Sequence, residues 1–194
     1  MKRLFAFLTL IIATSCGVTI YVDDFNRTVE NFTYKNGKVT WSKVYNVAED
    51  DIENVKLWLM SDFNIKTSDS TRIVGQTDLA SMPLREAGLQ PNLVEMMYHY
   101  PCVVSFIADL KDSKYRVIVT DIVWHDKTTT SYKITSNISY ASTNETTKSL
   151  SDWATKGEGY DSVFYKRTAI NLNKILTHMF EYKKHINLTD RDNW

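Results

Sequence analysis

Hydrophobic and polar positions alternate along several short parts of the chain, and this period of two predicts β-strands. The pair Asn36-Gly37 is a tight-turn signal that separates a short strand predicted at 31–35 from a longer one at about 38–47. Two short strands and a hairpin with a polar turn follow, at about 64–69, 71–78 and 101–125. This order of strands and turns indicates an antiparallel sheet.

Two longer segments repeat their apolar residues every three or four positions, which is typical of amphipathic helices. The first is predicted at about 49–63, where the acidic run Glu49-Asp50-Asp51 suits the positive end of the helix dipole. The second is predicted at about 162–186 and begins at Asp161-Ser162, a favourable N-cap pair. Both helices have one apolar side, so both are expected to pack on the sheet.

The remaining stretches are predicted to be mostly loop. Residues 79–99 are interrupted by proline and glycine and contain the pair Met96-Met97. This segment is compatible with two interpretations: it lines a pliable hydrophobic groove, or it seals the edge of the sheet. Residues 126–160 are rich in Ser, Thr, Asn and Lys, and one further strand is predicted there at about 131–140.

The resulting order is strand, helix, four strands, helix (β-α-β4-α). It predicts an α+β domain in which a single antiparallel sheet of about five strands has two helices on one face. The other face is then available for contacts. Four aromatic residues suit either that open face or the core: Trp41, Tyr115, Trp124 and Tyr132.

The N-terminus has the pattern of an export signal. Lys2 and Arg3 precede a short apolar run at 4–12, and Ala13-Thr14-Ser15 leads directly into Cys16. This resembles the lipobox of bacterial lipoproteins, which implies removal of residues 1–15 and acylation of Cys16, for example by palmitate. The other interpretation is an ordinary signal peptide cleaved near Ser15. With lipidation, residues 16–30 form a tether and residues 31–190 a single domain.

Composition narrows the class of protein further. The 194 residues are 43% hydrophobic and 24% charged, which is ordinary for a soluble globular domain and unlike a disordered chain. The full chain has 23 basic and 23 acidic residues, and removal of residues 1–15 leaves 21 and 23, a net charge of −2. Binding to nucleic acid needs a basic surface, so no nucleic-acid partner is expected.

Several of these elements, taken in order, match a known family. They are the strand at Val44-Tyr45, the helix carrying Trp58, the strand at Ile73-Val74-Gly75, the hairpin at 111–116 and the closing helix. Over about 38–185 the chain resembles an uncharacterised bacterial lipoprotein family whose domain has no known function. The resemblance implies a TATA-box-binding-protein-like fold and a location in the cell envelope. It implies no catalytic residues.

Catalytic patterns are scarce in the chain. It has no G-x-S-x-G nucleophile motif and no glycine-rich phosphate loop, and nothing in it calls for a cofactor. His99 and His125 are the candidates for the base of a cryptic hydrolase. Their nucleophile would have to come from elsewhere in the fold.

Two other groups of residues have side chains that could take part in chemistry. His178, Glu181 and His185 share one helical face and could converge on a cation, but Lys174 and Arg167 on that face would repel it. A solvated polar face explains these residues, and no metal site is predicted. Cys102 lies in an apolar run and is expected to be a buried, unreactive thiol.

These observations predict a lipid-anchored protein of the cell envelope, placed in the outer membrane of a Gram-negative bacterium on its periplasmic or its surface side. Its expected role is non-catalytic: the domain binds a protein or glycan partner. The alternatives are the cryptic hydrolase and a carrier of a small hydrophobic ligand beneath residues 79–99, which would need a closed apolar cavity.

Overall fold

The computed structural model describes residues 29–135, 138–156 and 159–183. Its main sheet contains β1 (Phe32–Lys35), β2 (Lys38–Asn46), β3 (Asn64–Ser68), β4 (Arg72–Gln76), β5 (Cys102–Lys111), β6 (Lys114–Thr135) and β7 (Ile138–Ser149). The helices are α1 (Ile52–Asp62), α2 (Leu150–Ala154) and α3 (Ala169–Met179), and a small hairpin is formed by β8 (Thr155–Lys156) and β9 (Gly159–Tyr160).

The main sheet has the order β1-β2-β6-β5-β4-β3, and β7 pairs with the far part of β6. Every neighbouring pair in it is antiparallel, so the predicted α+β class with an antiparallel sheet is confirmed. The number of strands was wrong: the sheet has seven strands instead of about five. Two strands account for the difference: β1, which was predicted at 31–35 but is not counted in the β-α-β4-α order, and β7, which lies in the Ser- and Thr-rich stretch where no apolar–polar alternation reveals it.

A two-stranded arm replaces most of the loop predicted at 126–160. Strand β6 is 22 residues long, and its pairing with β5 ends at Trp124. Beyond that point residues 126–135 pair only with residues 138–146 of β7 in the part of the chain that the structure describes. Ten residues of extended chain span about 33 Å. We call this ribbon the arm.

The C-terminal helix is shorter and less regular than the prediction of 162–186. It passes through a π-helical turn at Phe164–Thr168 before α3, which ends at Met179. The end is set by tertiary contacts: the Tyr115 hydroxyl donates to the carbonyl oxygen of Phe180 at 2.7 Å and accepts from the amide of Tyr182 at 2.8 Å. The carbonyl group of Phe180 and the amide of Tyr182, which would otherwise continue the helix, are therefore hydrogen-bonded to a side chain of the sheet.

Two more tyrosine hydroxyls attach the same segment along its length. Tyr98 donates to the carbonyl oxygen of Thr168 at 2.8 Å, and Tyr45 donates to that of Thr177 at 3.1 Å. Burial raises the pKa of Tyr45, Tyr98 and Tyr115 above the ordinary value for a phenol, so all three stay protonated donors. These three bonds fix the helix at its beginning, near its end and just past it.

Aromatic packing fills the space between the sheet and the helices. The rings of Phe63, Phe106 and Phe180 contact one another, and Phe180 is 5.4 Å from Phe63 and 5.0 Å from Phe106 between ring centroids. Gly75 lies directly beneath this group, and a Cβ atom there would come within 3.0 Å of the Phe106 ring. The apolar side of α3 completes the core with four fully buried residues: Ala169, Leu172, Ile175 and Leu176.

Replacing Tyr115 by Phe tests the attachment of the C-terminal segment. The ring and its stacking on Tyr45 are kept, but a buried carbonyl and a partly buried amide lose their partner. We expect Tyr115→Phe to lower the free energy of unfolding by about 1–3 kcal/mol in urea titrations. The matched control is Tyr34→Phe, where no hydroxyl hydrogen bond is lost within the described residues and a change within about 0.5 kcal/mol is expected. Equal effects of the two variants would contradict this account.

Candidate binding face

The sheet has one covered face and one open face, and strand β5 shows both. Its alternate residues Cys102, Val104, Phe106, Ala108 and Leu110 are buried. The residues between them, Val103, Ser105, Ile107 and Asp109, are half-buried. The aromatic contacts of Phe106 with Phe63 and Phe180 place the covered face beneath the helices. Ser105, Ile107 and Asp109 therefore belong to the open face.

A short apolar row crosses the middle of the open face. The register places Val74 of β4 beside Ile107 of β5, which in turn lies beside Ile118 of β6. All three side chains are half-buried. Val44 of β2 pairs with Arg116 of β6, two residues from Ile118, and is 52% exposed. Half-exposed aliphatic side chains in adjacent strands form a continuous apolar surface.

A charged row runs parallel to the apolar row, two rungs along and therefore on the same face. Arg72, Asp109 and Arg116 are neighbours in register across β4, β5 and β6. The Asp109 carboxylate accepts from Arg72 Nε at 2.7 Å and from an Arg116 guanidinium nitrogen at 2.6 Å. These hydrogen bonds hold the pKa of Asp109 below its usual range. The two arginine side chains are 55% and 50% exposed.

One carboxylate therefore orients two arginines on the open face, which leaves a local surplus of positive charge. Each guanidinium group keeps exposed N–H donors that a partner's carboxylate or hydroxyl oxygens can accept. We define the open face by the apolar residues Val44, Val74, Ile107 and Ile118 together with Arg72, Asp109 and Arg116. Its chemistry is an apolar strip beside a fixed pair of cationic donors.

A trough of about 520 Å³ adjoins the open face, on the side of the apolar row away from the charged row. It lies near the start of β2 and of α2. The floor of the trough is formed at a bulge between β5 and β6. Ser105 pairs with Asp121 and Phe106 with Val119, so Thr120 has no partner residue on β5. The Thr120 hydroxyl donates to the carbonyl oxygen of Ser105 at 3.3 Å. The trough is open to solvent and is also lined by Lys38 and Lys66.

The aromatic residues that suited either the open face or the core belong to the core. Trp41 is fully buried, and Tyr115 and Trp124 are 1% exposed. The indole nitrogen of Trp41 donates to the side-chain oxygen of Asn173 on α3 at 2.8 Å, which places this ring under the helix. The second interpretation was therefore correct for these three residues. The side chain of Tyr132 lies outside the described part.

The two candidate histidines lie in different surroundings. His99 Nε2 is 2.9 Å from the carbonyl oxygen of Pro91, and His125 Nδ1 is 3.0 Å from a carboxylate oxygen of Glu145. The His125 hydrogen bond holds the pKa of Glu145 below its usual range. The hydrogen bonds found at the two rings go to a backbone carbonyl oxygen and to a carboxylate oxygen. Neither contact involves a hydroxyl or a thiol, and the cryptic hydrolase stays an alternative hypothesis.

The three residues that could have been metal ligands are separated by the end of the described region. His178 is half-buried near the end of α3, Glu181 is exposed beyond it, and His185 lies outside the described residues. Across residues 29–135, 138–156 and 159–183 no group of three or more His, Cys, Asp or Glu side chains is arranged to hold a metal ion.

The two residues of the pair Met96-Met97 support different interpretations of residues 79–99. Met97 is 3% exposed and seals the core, whereas Met96 is 72% exposed. Beside this segment a shallow groove of about 400 Å³ runs between residues 88–94 and α3. Arg167 closes one side of it by donating to the carbonyl oxygen of Leu93 at 2.6 Å. The groove is open to solvent, unlike the closed cavity expected of a carrier of a small hydrophobic ligand.

Of the two cysteines, one lies in the described part of the chain and one outside it. Cys102 is buried and unpaired with another cysteine, so the predicted burial of this thiol is confirmed, and burial raises its pKa to about 12. Cys16 lies outside the described residues. Within the described part, no helix combines the length and the apolar character needed to cross a membrane.

Comparison with solved structures finds a similar chain, described as a TBP-like protein from Parabacteroides distasonis ATCC 8503. The two share 14% identity, the alignment covers 75% of this chain and 86% of that chain, and the TM-score is 0.42. A TM-score this low does not allow the properties of that protein to be transferred. Comparisons with protein-family models and with curated proteins give no match. The predicted lipoprotein family therefore stays a prediction.

The burial of Cys102 predicts its reactivity. In the folded Cys16→Ala protein at pH 8, we expect no reaction with a disulfide reagent such as Ellman's reagent on the timescale of minutes, because the thiol is inaccessible and protonated. In guanidinium chloride one thiol should react at once. Rapid reaction of the folded protein would show that Cys102 is reachable and would contradict the described core.

Proposed function

We propose that this chain is a lipid-anchored protein of the bacterial cell envelope whose α+β domain binds a protein or glycan partner through the open face. The anchor is Cys16, acylated after removal of residues 1–15, and the site of residence is the outer membrane. The observation that carries the binding role is the pair of half-exposed arginines fixed by Asp109 beside an apolar strip.

Support for the anchor comes from the sequence around Cys16. A basic start, an apolar run of nine residues at 4–12 and small residues before a cysteine are the parts of a lipoprotein signal. One acyl chain holds a protein to a membrane only marginally, whereas two or three hold it stably. Residues 17–28 then separate the anchor from the first described residue, Val29.

Support for a binding role comes from the arrangement of the open face. Aliphatic side chains of neighbouring strands supply apolar area, and their exposure means that a partner can cover them. The two guanidinium groups beside them are already ordered by Asp109, so less side-chain entropy is lost when a partner binds. Guanidinium groups recognise carboxylates and sugar hydroxyls, which suits an acidic protein segment or a glycan.

Nucleic acid is not proposed as the partner. The mature chain would carry a net charge of −2, and the surplus of positive charge on the open face is local to two arginines. Binding to a phosphate backbone generally needs many more cationic contacts than that.

The anchor is tested by mass. We expect the natively expressed protein to have the intact mass of residues 16–194 plus two or three acyl chains, and to partition into detergent. Cys16→Ala should lose both properties, because the acceptor thiol is gone. Cys102→Ala is the matched control, and it should keep the acyl mass because that thiol is buried in the fold. Acylation that persists in Cys16→Ala would overturn the assignment.

The binding face is tested by photo-crosslinking in intact cells. A diazirine amino acid at Val44, on the open face, should give a discrete adduct with a protein or a glycan. The matched control is Leu57 on α1, which is 64% exposed and outside the open face. Arg116→Ala should reduce the Val44 adduct on the order of tenfold, which corresponds to the loss of about 1.4 kcal/mol of binding free energy. Equal labelling from both positions, or none from Val44, would show that the open face is not the binding surface.

A further inference from the structure

The arm has two long outer edges. Residues 126–135 of β6 and residues 138–146 of β7 pair with each other, and within the described chain no third strand adjoins either one. Each outer edge therefore presents a row of backbone N–H and C=O groups. An isolated two-stranded ribbon is marginally stable in water, so a ribbon of this length is expected to gain stability from a further strand.

The edges of the sheet differ in how they are protected against pairing. The edge strand β3 has a bulge between Ile65 and Thr67, with Lys66 at that point, and the other edge strand, β1, is only four residues long. The β6 side of the arm carries Asp126, Lys127 and Lys133. Bulges, short strands and lysines are the usual means by which a protein blocks pairing at an edge.

The β7 side of the arm has one charged residue, Glu145, at its base, and lacks these features over the rest of its length. Residues 138–144 have the sequence Ile-Ser-Tyr-Ala-Ser-Thr-Asn, which contains no charged residue, no proline and no glycine. The register with β6 is continuous over residues 138–149 except for one irregularity close to the tip, between Lys133 and Thr135. This is the longest uncharged stretch on any outer edge of the described sheet.

We propose that β7 pairs with β7 of a second copy of this chain, antiparallel and about a twofold axis at Ala141. In that register Ile138 lies opposite Asn144 of the other copy, and residues 139 and 140 lie opposite 143 and 142. No like charges face each other, because the window contains none. An antiparallel pair of identical edges is self-complementary, so the assembly closes as a dimer and does not grow into a fibre.

The result of this pairing is a four-stranded ribbon, β6-β7-β7-β6, which joins two domains. It converts two marginal hairpins into one sheet whose inner edges are fully paired. Its two outer edges are then the β6 edges, the ones that carry Asp126, Lys127 and Lys133. The unprotected edge of each copy is therefore the one that the dimer covers.

The first test uses charge at the axis. Sedimentation of the detergent-solubilised protein should give the mass of two chains. Ala141→Lys and Ala141→Glu should each weaken the dimer by tenfold or more, because a like charge then faces its own copy. An equimolar mixture of the two variants should restore it. A monomeric wild-type protein, or a dimer that neither variant weakens, overturns the proposal.

The second test uses a disulfide in the native membrane. Residues facing each other across an antiparallel pair have Cα atoms about 4.5–5.5 Å apart, within the range of a disulfide. Ala141→Cys should therefore give a covalent dimer on oxidation. Ser131→Cys is the matched control, because Ser131 is opposite Ala141 in the same ribbon but on β6. The wild-type protein is run beside both and should stay monomeric on the gel. Dimers from Ser131→Cys as readily as from Ala141→Cys, or none from Ala141→Cys, contradict pairing through β7.

Discussion

The C-terminal helix is held on the sheet by three buried tyrosine hydroxyl groups. Buried tyrosine hydroxyls of the sheet and of the 79–99 segment bond to backbone carbonyl oxygens at Thr168, Thr177 and Phe180. Buried carbonyl groups without partners would cost about 1–3 kcal/mol each, so these bonds hold the helix at defined positions. Because the helix covers one face of the sheet, the other face is left open.

The position of the helix also determines which residues lie on the open face. Trp41 and Tyr45 on β2 are used by α3, and Val44, which lies between them in the strand, is left exposed. The same alternation on β5 leaves Ile107 and Asp109 on the open face. The proposed binding role and the proposed pairing of β7 use separate parts of the molecule. One is the middle of the sheet, and the other is the arm that extends beyond it.

Much of the fold could be predicted because its elements carry strong local signals. The alternation from Val39 to Tyr45, the Asn36-Gly37 turn and the periodic apolar residues of α1 each correspond to an observed element. The arm could not be predicted in this way, since Thr and Ser form strands as readily as loops and only the partner strand decides between them. The charged row of the open face was also missed. Arg72, Asp109 and Arg116 are far apart along the chain, and the register of three strands brings them together.

The order of most strands and helices, the turn positions, the net charge and the pattern of an export signal that ends in Cys16 can all be read from the amino-acid sequence. These properties depend on residues close together in the chain, where periodicity and short motifs act directly. Three other properties can be seen only in the tertiary structure: which aromatic residues are buried in the core, where the last helix ends, and which polar side chains contact one another on the open face. Each of those outcomes depends on a contact between distant residues, such as Tyr115 with Phe180, which no local pattern records.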